Sequence, residues 1–194
     1  EKLKMGDGFD LQIYHDGSSS RIYNSTGDLV LRSASYYLNS ADGSENIIKG
    51  LENAQVELYY DNAKAFSTQT DGIGVFGREG NNANIYLFAD EQDDLADQWR
   101  IRALASSSTL EIQNRNTNTS YDTNLVCKGD GAVELYHDNS KKFETTSTGT
   151  TTSGSMIVDG DIDPYSNNNN DLGSSANRWR NIYTNDLNLS NEGS

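Results

Sequence analysis

The sequence predicts an all-β chain with too little apolar material for one packed globule, and three observations predict it. A hairpin-like segment recurs, short alternating runs are separated by turn residues, and helical periodicity is nearly absent. "VELYYDNAKAFSTQTDG", Val56 to Gly72, matches "VELYHDNSKKFETTSTG", Val133 to Gly149, without a gap, and "LQIYHDGSSSRIYNSTG", Leu11 to Gly27, is a diverged third copy. The aligned tyrosines Tyr14, Tyr59 and Tyr136 are unequally spaced. That argues for related hairpins set among different connectors rather than a solenoid of one rung length.

Each copy reads as strand, tight turn, strand, turn. Val133 and Leu135 alternate with Glu134 and Tyr136, the period of two expected of a strand with one buried face. Asp-Asn and Asp-Gly at the tips tolerate the positive φ angles of tight hairpins. Phe66 and Phe143 open the return strands. The same pattern predicts strands at Gly27–Ser33, Asn84–Asp90, Gln98–Leu104, Ser108–Asn114 and Gly154–Gly160. Only "DEQDDLADQW", Asp90 to Trp99, has the composition of a helical turn, and its apolar spacing is too thin for a lasting helix. Thr146–Ser155 and Tyr165–Asp171 are low-complexity connectors. The expected organisation is a first hairpin region at 1–50, a repeat-bearing β shaft at 51–164 with an intervening β module at 84–127, and a small module at 165–194 anchored by Leu172, Trp179, Ile182 and Tyr183.

Composition narrows the function classes. Hydrophobic residues make up 34% of the chain, and 15 basic residues face 29 acidic ones for a net charge of -14. Such numbers resemble those of disordered chains, but 11 Tyr, 5 Phe, 2 Trp and a single proline, Pro164, argue for order. The expectation is a small core per chain, completed by other subunits. No cluster of Lys and Arg offers a footprint for nucleic acid. Cys127 stands alone, so neither an intrachain disulfide nor a Cys-based zinc site is available. The apolar stretches are too short for insertion into a membrane. The chain opens at Glu1 without a methionine, which suggests a piece of a longer polypeptide.

"YHDGSSS" raises the question of hydrolase chemistry, with His15 as base, Asp16 as orienting acid and a serine as nucleophile. His15 aligns with His137 but also with Tyr60, and Ser18–Ser20 align with Ala63–Ala65, so a hairpin tip is the better reading and no catalytic residue is assigned. Asp159, Asp161 and Asp163 begin like a calcium loop, but Pro164 stands where glycine is needed and Asn170 replaces the bidentate glutamate. The run Asp90, Glu91, Asp93, Asp94 and Asp97 reads as a solvated acidic turn. No metal or cofactor is expected. Tyr14, Tyr59, Tyr60 and Tyr136 are candidate glycan contacts, because a ring stacks on a sugar face while nearby Asn and Asp bond its hydroxyls. Cross-strand pairing is the competing explanation of those rings.

The "VELYYDNxKxF" and "DLxIYHDGSxSxI" hairpins, with "LFADEQDDLADQWRIRA" and "DLGSSANRWRNIY", resemble phage tail fibres, in particular the repeat-bearing fibres of marine and cyanobacterial phages. "LGSSANRWRNIY" resembles the segment that precedes a C-terminal chaperone domain in many such fibres. The resemblance implies an elongated homotrimer of intertwined hairpins, β-prism or triple β-helix-like, carried extracellularly on the virion. It also implies a non-enzymatic structural and adhesion role, with host-surface polysaccharide or protein as receptor and other phage tail proteins as partners. Trp179 and Tyr183 would then belong to a structural C-terminal module. Two alternatives remain: a tailspike-like depolymerase using Glu57 with Asp61 or Glu134 with Asp138, and a bacterial surface filament built from the same hairpins.

Overall fold

A computed structural model describes residues 2–90, 93–116, 120–167 and 169–188. The chain divides into two compact units, Glu1–Ser153 and Gly154–Ser194. Among the described residues the first carries fifteen strands in three open antiparallel sheets, and in each sheet every strand pairs only with its neighbours in sequence. The first sheet is β1 (Lys2–Met5), β2 (Leu11–His15) and β3 (Ser20–Asn24). The second comprises β4 (Ser35–Asn39), β5 (Asn46–Leu51), β6 (Val56–Tyr60), β7 (Ala63–Gln69) and β8 (Gly72–Val75). The third runs through β9 (Ala83–Phe88), β10 (Gln98–Leu104), β11 (Thr109–Arg115), β12 (Tyr121–Lys128), β13 (Val133–His137), β14 (Ser140–Thr146) and β15 (Gly149–Thr152). Leu95–Asp97 form a 3-10 turn inside the segment expected to hold a helical turn; Glu91 and Gln92 of that segment lie outside the described residues.

The tight turns form for the reason their sequences suggest. Asp61 and Asn62 have φ of 50° and 56°, and Asp138 and Asn139 repeat those values, as a two-residue hairpin turn matching the strand twist requires. Each hairpin then bulges on its return strand, so that Leu58 faces Phe66 and Leu135 faces Phe143. The two phenylalanines therefore sit inside β7 and β14 and do not open them. The first copy is built differently. Asp16 Oδ1 accepts the backbone N–H groups of Ser18 and Ser19 at 3.0 and 2.8 Å, the loop is two residues longer than the Asp-Asn turns, and the return strand has no bulge. Arg21, aligned with Phe66 in sequence, thus faces Tyr14, and the two side chains occupy opposite faces of their hairpins.

Backbone geometry extends the repeat well beyond the matching hairpin. From Asn46–Phe76 to Thr123–Ser153 the residues correspond one for one. The N–H groups of Asn46 and Thr123 donate to the amide oxygens of Asn62 and Asn139. Those of Val56 and Val133 donate to the hydroxyls of Thr68 and Thr145, both at 2.9 Å. Those of Phe76 and Ser153 close onto Ala65 and Lys142. A register shift falls at the same place in β5 and β12. The repeating unit is a five-stranded sheet, β4–β8 against β11–β15, with β9 and β10 added to the second.

Two expected strands are absent. Gly27–Ser33 and Gly154–Gly160 form no ladder, and Leu29, Val30, Leu31, Met156 and Ile157 stand exposed. Each is a run of three apolar residues between turn formers, but no described strand pairs with it, and a strand exists only as half of a pair.

The distribution of polarity is inverted relative to an ordinary sheet. Among the described residues Val126 is the one buried hydrophobic side chain, whereas Glu57, Ser67, Gln98, Gln113 and Glu134 are buried. The face of β13 that is buried is that of Glu134, while Val133 and Leu135 on the other are 38% and 43% exposed. Cross-strand register lines up rows on this bare face: Leu38, Ile48, Leu58, Phe66 and Val75 in one sheet, and Ile85, Ile101, Ile112, Leu125, Leu135 and Phe143 in another. The chain exposes 16042 Å², where even two separate compact bodies of this total mass would expose on the order of 10,000 Å². In the second unit Leu172, Trp179, Ile182 and Tyr183 are likewise exposed.

Candidate functional site

Strand alternation decides the fate of the four tyrosines. Tyr59 and Tyr136 share a face with the glutamate two residues earlier, and each donates its hydroxyl to that carboxylate, at 2.6 Å to Glu57 and 2.8 Å to Glu134. Glu57 also accepts from Gln55 at 3.2 Å and Lys64 at 3.1 Å. Glu134 accepts from Lys128 at 2.9 Å and Lys141 at 3.1 Å. The Tyr59 hydroxyl, followed by Gln55 and Lys64, holds the Glu57 carboxyl down at about 2 against the opposing effect of burial. Lys128, then Tyr136 and Lys141, hold Glu134 at about 2. Burial and the adjacent Glu134 push the Tyr136 phenol up. These are internal locks that keep buried carboxylates ionised and satisfied. Tyr14 is half-buried, with Lys2 Nζ 4.0 Å above its ring.

Tyr60 points the other way and is 75% exposed. It lines a cleft of about 260 Å³ with Phe76, Arg78, Asn81, Asn84 and Tyr86. The Arg78 guanidinium lies 5.3 Å from the Tyr60 ring centre and donates to the Tyr60 carbonyl at 3.1 Å and to Asp61 Oδ2 at 2.8 Å. Two glycines shape the wall. A Cβ on Gly77 would come within 2.3 Å of the Asn81 carbonyl oxygen, and one on Gly74 within 2.7 Å of the Phe76 ring. Asn81 and Asn84 use their NH₂ groups on the carbonyls of Glu79 and Asn82. Their amide oxygens have no partner among the described residues. Tyr86 and Phe88, two positions apart on β9, lie nearly parallel at 6° with centroids 6.0 Å apart. Both rings are about half exposed. Apart from Tyr60, none of these residues stands out in the sequence; the signal that could have found them is the polar, Gly-rich stretch "GREGNNAN" between two strands.

The hydrolase reading finds no matching geometry. His15 Nδ1 meets Ser20 Oγ at 3.2 Å, while Asp16 spends its carboxylate on Ser18, Ser19 and Arg21, the last at 2.6 Å, so it bonds the turn and not the imidazole. Arg21, with the serine donors, holds Asp16 well below the usual carboxylate range. A depolymerase needs one carboxyl kept protonated as general acid, and Glu57 and Glu134 are held in the opposite direction. Asp61 is committed to Arg78. Asp93, Asp94 and Asp97 gather their carboxylates within 4.8 Å; Asp159, Asp161 and Asp163 do not form such a group. No described helix is long and apolar enough to cross a membrane.

On the polar face of the third sheet, Arg100 donates to Gln113 at 2.7 Å and stacks 3.7 Å over Tyr121. Arg102 donates to Glu111 at 2.7 Å, and Arg115 to Gln98 at 2.7 Å. Arg100 and Arg102 are thus engaged within the chain, while Arg115 leaves its Nε buried without a partner among the described residues. Comparison with protein-family models, with curated proteins and with solved structures finds no match to this chain.

Proposed function

We propose that the chain is a structural and adhesion segment of a phage tail fibre, assembled as a homotrimer whose apolar rows cover one another. The observation that carries this reading is the pair of faces. Apart from Arg115 Nε, the polar side of each large sheet is satisfied within the chain, whereas the apolar rows centred on Leu58 and Leu135, 41% and 43% exposed, have no cover among the described residues. The surface exceeds that of compact bodies by several thousand Å², the amount that obligate oligomers bury. Three copies supply identical rows to one another about an axis, and the net charge of -14 then faces solvent and opposes lateral association. The resemblance of the hairpins and of "LGSSANRWRNIY" to tail fibres supplies the biological setting, a virion appendage that contacts a host surface.

Light scattering on the native protein tests the assembly: a mass near three times 21.4 kDa, stable in detergent until heated, is expected. A stable monomer would sink it. Antibody labelling of purified virions against host cells distinguishes the fibre from a bacterial surface filament of the same architecture.

A further inference from the structure

We infer that the cleft beside the Tyr60 hairpin is a carbohydrate subsite that takes a neutral pyranose residue of a surface polysaccharide. This rests on the adhesion reading above and assigns it a place. Sugar recognition needs a flat apolar surface for the C–H face of the ring and fixed polar groups for its hydroxyls. Tyr60 and Tyr86 both line the cleft, and Phe88, parallel to Tyr86, extends the aromatic surface along β9. The Asp61–Arg78 pair presents an acceptor and a donor side by side, and the amide oxygens of Asn81 and Asn84 face no other described partner.

The volume of about 260 Å³ fits one sugar ring. Charge selects a neutral sugar: Arg78 is already paired with Asp61, and the chain's net charge of -14 repels a polyanionic glycan. The equivalent positions of the second repeat serve as an internal control. There His137 stands for Tyr60 and Ser153 for Phe76, so the ring wall does not recur. By contrast, the depression formed by Asn53–Gln55 and Thr68–Thr70 recurs at Asp130–Ala132 and Thr145–Ser147, as a feature of the scaffold itself does.

The test is saturation-transfer NMR on the assembled protein with malto-, cello- and manno-oligosaccharides, and with alginate as an anionic probe. Native mass is measured for every variant, and attachment of labelled protein to host cells is scored in parallel. Saturation of one neutral series is expected, weakened roughly tenfold by Tyr60→Ala and by Tyr86→Ala, retained in Tyr60→Phe and unchanged in His137→Ala. Asn84→Ala serves where an aromatic variant fails to assemble, and weakening is expected there too. No transfer to any neutral series from natively assembled protein, preference for alginate, or affinity indifferent to Tyr60, Tyr86 and Asn84 would overturn the assignment. Cell attachment without neutral-sugar binding defeats the cleft and leaves the fibre reading standing; sugar binding through Tyr60 without attachment does the reverse.

Discussion

The two five-stranded repeats share a backbone and differ in what they do with it. In β4–β8 the buried Glu57 is held by one lysine, one amide and a tyrosine, and the hairpin tip carries Tyr60 at the edge of a cleft. In β11–β15 the buried Glu134 is held by two lysines and a tyrosine, the tip carries His137, and two further strands lengthen the apolar row. Hydrogen bonds that fix the hairpin recur atom for atom, while the side chains at its tip are free to change. The scaffold is thus specified by a few polar contacts, and specialisation is confined to positions outside them.

Breaking the rows has the largest expected effect. Leu135→Asp places a carboxylate in the middle of the longer row and is expected to convert the assembly to monomers, at a cost of about 3 kcal/mol or more per chain. Leu58→Asp, in the shorter row, is expected to weaken assembly less, and native mass against protein concentration separates the two. Next come the carboxylate locks. Glu134→Ala strands two lysines and a phenol and is expected to cost about 2–3 kcal/mol, against about 1–2 kcal/mol for Glu57→Ala, read from urea unfolding midpoints.

Acid acts on both locks together. Glu57 and Glu134 have their pKa lowered from 4.5 to about 2 in the folded chain, so the unfolded chain binds more protons between those values. Their contribution is present in full above about 4.5 and is lost as pH falls toward 2. The melting temperature is expected to drop across that window, and in a Glu57→Gln, Glu134→Gln double variant the drop is expected to flatten. Smaller effects test the tips. Asn62→Ala and Asn139→Ala lose a positive-φ residue and the bond to Asn46 or Thr123, for about 1–2 kcal/mol each. Asn→Gly at the same sites restores only the backbone freedom. Tyr59→Phe and Tyr136→Phe each remove one hydroxyl bond, with about 1 kcal/mol expected.

Much of this fold was legible in the sequence, and the illegible part has a physical pattern. The Asp-Asn turns and the strands expected at Gln98–Leu104 and Ser108–Asn114 follow from local chemistry, and they form at Gln98–Leu104 and, one residue later, at Thr109–Arg115. The extension of the repeat to five strands was hidden because it is carried by main-chain groups. Asn46 and Thr123, or Phe76 and Ser153, have nothing in common but their N–H. The segments around Val30 and Ile157 were misread because a short apolar run between turn residues suggests a strand without naming its partner. Alternation also did not reveal which face is covered. On β13 the glutamate and tyrosine are enclosed because their polar atoms bond one another, while the leucine has only itself to offer. At the candidate site, Tyr60 could be singled out only once Tyr59, one residue earlier, was seen facing Glu57.

The neighbour-to-neighbour strand order has a kinetic consequence. A sheet whose every ladder joins consecutive strands needs only short loops to close, and short loops close quickly and independently of concentration. Each sheet is therefore expected to assemble as its strands leave the ribosome. In the proposed trimer, covering the apolar rows with other copies is a later step whose half-time falls as the protein is concentrated. Refolding from urea should accordingly split into a fast phase indifferent to dilution and a slow phase governed by it.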